Sequence, residues 1–508
     1  MLQRLEWDEF PEPLVLLVLM EMLHRVGNEL PDDILFPLWR KTLSLAVEFS
    51  ANFDEPAGSD VPEDQRLLIS GELPWEAGLL FADIKGAAKP AKSGSRFLRK
   101  ELLDQTDSDG TPHAELLERL SLWIAPLVRA TEWSQTFREK LWKADSRERF
   151  RSLVKIVAPF CRLDGRMALG NGSSHNVASL MSSASRLSGW REKSPPADLL
   201  RDVQKVAEKP KMHKRTNGVK RRRVKKSNAD YPVTQSDWAR VACLRSDWSL
   251  HSDTLIVAHH ATKPMIELSV LGESLLSGSW DLEVSLNGKL LQLEDEWICN
   301  CWYSDEDADY LELNQTLDNG LLIDRQLLLS RENHFVLFAD CISGAKTGRI
   351  RYLSRLPLVN GVVASANPST REMTLKAGRQ KARAFPLALP DDLVISTPGE
   401  FGLQGENLVL TQEAIGGLYA PVVIDWSPEH RRSYAEWRTL TVSENGSAVN
   451  SSSAAGHRLR IGDQQIFLYR RTNKSEEAHA VLGHHTTNET VIGKFDDFGD
   501  VDPILMVE

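Results

Sequence analysis

The chain has 508 residues, more than one hydrophobic core organises, since single cores stop growing near roughly 250 to 300 residues; at least two domains are expected. Hydrophobic residues make up 42% and charged residues 26%, an ordinary globular composition. No window approaches the ~18 consecutive apolar residues that a membrane span needs. The net charge of -10 hides segregation, because residues 205–226 carry eleven Lys or Arg against one Glu and leave the rest of the chain at about -20.

From residue 11 to about 208 the apolar spacing is helical. Helices are predicted over 12–26, 32–48, 75–84, 96–103, 176–187 and 197–208. The apolar run 13–20 opens the first. Acidic Asp8 and Glu9 precede it, Glu21 interrupts it and no small-residue cleavage site follows, so it reads as a core helix and a cytoplasmic location is expected. After Pro112, the residues Leu116, Leu117, Leu120, Ile124, Leu127 and Val128 fall on one face, with Thr111 placed to cap and Pro112 at the first helical position. After Asp145, Phe150, Leu153, Val154, Val157 and Cys161 form a second stripe, which stops at Asp164-Gly165. Successive helices with short loops suit antiparallel hairpins that either bundle or curve into an α/α toroid. All seven tyrosines lie beyond this half, the first being Tyr231.

Residues 209–236 form a basic linker. Apolar periodicity is absent over 209–229, and the run Lys220-Arg221-Arg222-Arg223-Val224-Lys225-Lys226 stands at its centre. A solvated connector is the simplest reading. A polyanion-binding element built on Arg221, Arg222 and Arg223 is the functional one, with an acidic polysaccharide or another polyanion expected ahead of a nucleic acid; nuclear targeting is a third.

After Asp237 the period changes to two. Trp280, Leu282, Val284 and Leu286 alternate with polar residues, and Asn287-Gly288 is a strong hairpin signal. Strands are expected over 254–258, 266–270, 296–303, 310–313, 321–329, 335–339, 350–353, 393–395, 422–426, 437–442 and 465–469. So many closely spaced strands predict a large β-sandwich of stacked antiparallel sheets over 237–508.

Five scattered cysteines, an odd number, argue against a disulfide framework. Cys299 and Cys301 alternate onto one strand face and read as a buried thiol pair, because nothing nearby supplies further ligands at zinc spacing. The acidic run 305–309 reads as a solvated turn, lacking the Gly and terminal Glu of a calcium loop. His484-His485 reads as exposed loop. No metal and no cofactor are expected. A phosphate-binding Gly-rich loop, a Gly-x-Ser-x-Gly elbow and a His-Glu-x-x-His motif are all missing, which leaves nucleotide-driven, serine-hydrolase and zinc-protease chemistry without support.

Helical hairpins followed by a β domain, together with Gly71-Glu72-Leu73-Pro74-Trp75, Asp109-Gly110-Thr111-Pro112-His113, Leu163-Asp164-Gly165-Arg166 and Arg245-Ser246-Asp247-Trp248, resemble the heparinase II/III-like polysaccharide lyases. The resemblance implies an N-terminal α/α toroid-like domain over 1–208, a large antiparallel β-sandwich domain over 237–508, and β-elimination on a uronic-acid polysaccharide. That reaction removes a proton beside a carboxylate, so it needs a group neutralising the carboxylate, a base, and an acid for the leaving oxygen.

The acid/base candidates are His113, His175, His259 and His260. The substrate-contact candidates are Arg166, Asn176 and Arg245, with Arg221, Arg222 and Arg223 in the linker. His175 and Asn176 follow the loop Gly170-Asn171-Gly172-Ser173-Ser174, and Arg245, with Asp247 and Trp248, reads first as a structural corner. Two departures from the family pattern stand out. No tyrosine precedes Tyr231, and His259-His260-Ala261-Thr262-Lys263 stands where the family has a His-x-His-x-Asp-like motif. Two functions follow: a polysaccharide lyase, or a catalytically inactive lyase-fold protein that binds an acidic glycan or another polyanion.

Overall fold

The computed structural model describes residues 12–52, 61–170, 176–191, 193–208, 231–293, 296–345, 347–473, 477–496 and 499–508. The chain divides into two compact units, Met1–His213 and Lys214–Glu508. The first contains helices and the second a large region of antiparallel sheet. No helix among the described residues is long and apolar enough to cross a membrane.

The main helices of the first unit are Glu12–Val26, Asp32–Asn52, Leu73–Leu80, Ala88–Asp104, Leu120–Phe137, Ala144–Val157, Ala178–Leu187 and Pro195–Ala207. Both apolar stripes are buried where the spacing predicts, with Leu120, Ile124, Leu127, Leu153, Val154 and Val157 all inaccessible or nearly so. The helix expected over 96–103 starts at Ala88 instead, because Gly94 is a crossing point and not a breaker. A Cβ there would lie 2.5 Å from the Gly71 carbonyl oxygen and 2.6 Å from the Trp75 nitrogen, and one at Gly78 would lie 2.5 Å from Ala91 Cβ. These glycines let two helix backbones touch.

The start expected at Thr111 and Pro112 is also displaced. Asp109 accepts hydrogen bonds from the Thr111 nitrogen at 2.8 Å and hydroxyl at 2.9 Å, and Pro112 bridges back to Thr106. His113 is the N-cap, and the 3-10 segment Ala114–Arg119 precedes the α-helix. Carboxylate–guanidinium forks tie distant segments together: Arg129 donates to Glu72 at 2.5 and 2.7 Å, and Arg119 to Asp64 at 2.7 Å twice.

In the second unit the largest sheet has eight strands. Its spatial order is Val363–Ala366, Met373–Ala377, Gln380–Pro386, Leu418–Asp425, Phe335–Ser343, Leu322–Ser330, Ala308–Thr316 and Ile298–Ser304. Its central strands carry apolar residues on both faces, as in Phe335-Val336-Leu337-Phe338-Ala339, because both faces are covered. Leu327, Leu329, Val336 and Phe338 join one core with Leu255, Leu268, Val284, Tyr352 and Leu410 of two five-stranded sheets. Leu328, Phe335 and Leu337 join a second core with Trp437, Leu459, Ile466 and Ile492 of a third. The Asn287-Gly288 turn forms as its sequence demands, both residues having positive φ between the paired strands Asp281–Leu286 and Lys289–Leu291.

Three expectations change. The first strand, Thr234–Ser236, begins before Asp237. The apolar triplet over 393–395 is an exposed turn, not a strand, with Val394 89% exposed; Arg371 holds it by donating to the carbonyls of Pro390 and Ile395. A bulge between Cys299 and Cys301 puts these half-buried thiols against different cores, so they do not share a strand face.

Between the eight-stranded sheet and the third five-stranded sheet sits the guanidinium of Arg470. It donates to Glu312 at 3.0 Å, Thr490 at 2.7 Å, Asp324 at 2.8 Å and Glu489 at 3.0 Å. Gln326 donates to Glu312 at 3.0 Å and to the Tyr310 hydroxyl at 2.8 Å, and Tyr419 donates to Gln326 at 3.0 Å. Burial alone would push the Glu312 carboxyl up, yet Arg470 and the donors Tyr310 and Gln326 hold it below its ordinary value.

Two stability outcomes follow. Gly94→Ala forces a methyl group into the Gly71 and Trp75 backbone and lowers stability by about 1–3 kcal/mol, read as the urea midpoint of the helical unit's transition. Arg470→Met leaves Glu312 buried without its cation and costs about 3–5 kcal/mol, read as a lower thermal midpoint of the β unit; a midpoint equal to that of the parent chain would remove Arg470 from its central place.

Candidate functional site

In the helical unit two turns follow two helices. One bridges Thr106 to Pro112 and the other Cys161 to Met167. The second turn carries Arg166 and is built around Gly165 at φ +81°. A Cβ on Gly165 would lie 2.3 Å from Asn176 Oδ1, so the turn rests directly on Asn176, and the Val177 nitrogen donates to the Gly165 carbonyl at 2.8 Å. Asn176 Oδ1 in turn accepts from the Ala178 nitrogen at 2.9 Å, starting the next helix. Asn176 and the Arg166 turn therefore meet. Arg166 is exposed, with Asp164 3.6 Å from its Nε. The bond to Ala178 uses only the oxygen of the Asn176 amide, whose nitrogen carries two donors. Guanidinium and amide nitrogens are both donors that carboxylate oxygens can accept from.

His113 caps its helix through Nδ1, which accepts from the Glu115 nitrogen at 3.4 Å; the proton is thereby assigned to Nε2. Its side chain is about a quarter exposed. His175, and the linker residues Arg221, Arg222 and Arg223, lie outside the described residues.

A buried acidic group in this unit has no signal in the apolar pattern. Glu72 and Glu76 are both inaccessible to solvent, and Arg129 forks onto Glu72. Burial, and then the neighbouring Glu72 carboxylate, push the Glu76 carboxyl well above the ordinary range. Glu72 closes the π-helical turn Leu68–Glu72, a geometry that sequence spacing does not announce.

In the β unit, the histidine motif belongs to the core. His259 follows the strand Thr254–Ala258, is fully buried, and its Nδ1 donates to the Trp297 carbonyl at 3.0 Å. Burial, with help from Arg240 and His260, lowers its pKa to about 4. The Trp297 indole donates to the Thr262 carbonyl at 2.9 Å and pins the same loop. Beneath it, the Arg325 guanidinium lies 3.7 Å from the Trp280 ring centroid and 4.8 Å from that of Trp297, paired with Asp340. His259 is thus a neutral packing residue and not a surface acid or base. His260, beside it, is half-buried.

Arg245 is likewise structural. Its guanidinium donates to the Asp247 carbonyl at 3.0 Å, the Thr254 hydroxyl at 2.7 Å and the Ser249 carbonyl at 2.9 Å. That corner is closed by Arg331, which pairs with Asp309 and donates to the Arg245 carbonyl. A substrate contact is the wrong role for a side chain so engaged.

A further relay joins residues ten and more apart in sequence. Tyr469 and His479 Nδ1 lie 2.5 Å apart, and His479 Nε2 lies 3.2 Å from Glu444. Both rings are buried, Tyr469 in a core with Val442, Phe467 and Val481, and the chain of hydrogen bonds links two sheets.

No family model matches the chain, and no curated protein matches it. Solved structures do. A heparinase III gene product is 14% identical with a TM-score of 0.62, over 91% of this chain and 74% of that one. A crystal structure titled heparinase III is 13% identical with a TM-score of 0.59, over 91% and 75%. A mutant of the heparan sulfate lyase HepC from Pedobacter heparinus is 13% identical with a TM-score of 0.56, over 87% and 70%. The chain has a polysaccharide-lyase-like fold, which bears out the resemblance carried by its scattered motifs.

The burial of His259 has a pH signature. Unfolded, its imidazole protonates near the ordinary 6.5; folded, it stays neutral down to about 4. The unfolded state therefore binds the extra proton, and stability falls as pH drops from 6.5 through 4. His259→Asn keeps a donor for the Trp297 carbonyl and removes the titration, so thermal midpoints between pH 7 and pH 5 should change less in the variant than in the parent chain. Equal slopes would place His259 in solvent.

Proposed function

We propose that this chain is a lyase-fold protein that binds an acidic polysaccharide and has lost the β-elimination chemistry. The observation that carries this reading is the place of His259, which stands where the family has its histidine motif: it is inside the core, neutral, with its Nδ1 spent on the Trp297 carbonyl. A base must come within about 3 Å of the proton it removes, and a sugar does not enter a packed core. The missing tyrosine in the first 230 residues points the same way.

In this reading the helices form an α/α toroid-like domain over 1–208, the sheets a stacked β-sandwich over 237–508, and residues 209–236 a basic connector. Arg166 and Asn176 hold a sugar carboxylate beside His113. Arg221, Arg222 and Arg223 add a diffuse cationic contact.

The test uses heparin, polygalacturonate and alginate. The full chain should bind at least one of them with an affinity that falls steeply with salt, and no unsaturated product should raise the ultraviolet absorbance between pH 5 and 9. A rise in absorbance would restore the active lyase; absence of binding to all three would remove the polysaccharide. Replacing Arg221, Arg222 and Arg223 together by Ala should lower the salt slope by about three if each contacts the polymer, and an unchanged slope would take the linker out of the reading.

A further inference from the structure

The β unit carries a local reversal of charge. Residues 231–508 have a net charge of about -14, yet residues 430–471 hold seven arginines against Glu436, Glu444 and Asp463. Arg470 and Arg471 of this set are buried. The others are not, and the sheet register gathers three of them, Arg438, Arg458 and Arg460.

Strands Ala435–Leu440 and Ala454–Ile461 are antiparallel neighbours in which Arg438 stands directly opposite Arg458, and Glu436 directly opposite Arg460. Trp437, Leu459 and Ile461 point into the core, so alternation turns Arg438, Arg458 and Arg460 to the other face. There, Arg438 and Arg460 are exposed. Glu436 is the carboxylate of this face and reaches Arg458 at 3.4 Å; Arg438 has no carboxylate partner among the described residues. The turn before the first strand lies against Gly462, whose nitrogen donates to the Tyr434 carbonyl and whose own carbonyl accepts from Arg460 Nε at 3.0 Å. Tyr434, 73% exposed, therefore stands next to the arginines.

Two like charges directly opposite each other on paired strands destabilise the pair. Salt bridging by one glutamate cannot neutralise three guanidinium groups. The arrangement is relieved by an external anion, and its spacing, about 5 Å across the strands and about 7 Å along one, suits successive anionic groups on one flexible polymer. Guanidinium forks match carboxylate and sulfate oxygens, and the exposed phenol ring offers a flat apolar platform for the C–H face of a sugar.

We infer that the face carrying Arg438, Arg458, Arg460 and Tyr434 is a contact surface for a carboxylated or sulfated glycan chain, separate from the Arg166 and Asn176 turn. It rests on the acidic-polysaccharide reading and assigns that reading a second surface. The strongly acidic remainder of the unit disfavours a long nucleic-acid duplex, which needs an extended basic footprint.

The experiment compares the full chain with Arg438→Ser/Arg460→Ser, using fluorescent heparin as the probe. Affinity at low salt should fall on the order of tenfold and the salt slope by roughly two, one for each guanidinium removed. The thermal midpoint should hold or rise, because replacing Arg438 relieves the repulsion from Arg458; a surface with a merely structural role would lower the midpoint and keep affinity. Tyr434→Ala should weaken binding while leaving the slope unchanged. Unaltered affinity and slope in the double variant, while the parent chain binds, overturn this surface and leave the polysaccharide reading standing. A parent chain that binds neither heparin nor polygalacturonate overturns both. Duplex DNA that displaces heparin through the same two arginines, and binds more tightly, overturns the choice of glycan.

Discussion

The β unit depends on one cation. Arg470 is nearly inaccessible and stands between two sheets, and Glu312, Asp324 and Glu489 converge on it. Removing a carboxylate from water costs several kcal/mol, and the attraction to a cation offsets this only where the remaining lone pairs are also satisfied. Around Glu312 they are, since Tyr310 and Gln326 donate to it beside Arg470, and Thr490 accepts a further bond from Arg470. The balance is still uneven, with more carboxylate than guanidinium, and burial pushes Asp324 up to about 6. The sheets are therefore held in register by a network that fails as a whole if its centre is removed, which a purely apolar interface between two flat faces would not enforce.

Much of the architecture is legible in the sequence because it is periodic. The stripes of Leu120, Ile124 and Leu127, and of Leu153, Val154 and Val157, are buried as their spacing requires, and the Asn287-Gly288 turn needs nothing beyond its own positive φ angles. What misleads is local chemistry overridden by tertiary contact. The helix expected over 96–103 starts earlier, at Ala88, and its Gly94 lies at the crossing with Gly71 and Trp75. Thr111 looks like a cap until Asp109 takes its hydrogen-bonding groups. Leu393, Val394 and Ile395 look like a strand, yet Arg371 holds them as a turn.

The candidate site is less legible, for the same reason. Arg245 stands in a family-like stretch and His259 where the family has its histidine motif, and identity alone does not say whether a side chain faces a groove or a core. The His259 bond to the Trp297 carbonyl spans 38 residues, and the hydrogen bonds that engage Arg245 run to backbone carbonyls. Arg166 comes from a family-like stretch and Asn176 from the Gly- and Ser-rich loop before it, and a glycine with positive φ, Gly165, rests the turn of the first against the second. Glu76 gives no warning, since a single glutamate in an apolar helix has no period. The arginines of the paired strands are equally hidden: Arg438 and Arg458 are twenty positions apart, and only register puts them opposite each other.

That register gives the charge distribution its meaning. Inside the β unit four guanidinium groups are matched by carboxylates, Arg325 by Asp340, Arg331 by Asp309, Arg383 by Glu372 and Arg470 by Glu312, while Arg245 and Arg471 donate to backbone carbonyls. Such matching is what burial demands, because an unmatched interior charge is worth several kcal/mol against folding. At the surface water relaxes the demand, and a surplus of like charge costs tenths of a kcal/mol per pair and not whole units. A surplus there is cheap to keep and equally cheap to remove, so its concentration on one face, in a unit that is otherwise acidic, is not a by-product of folding. The fold gives the buried arginines their acceptors; the exposed ones it tolerates, and their explanation has to come from what meets that face.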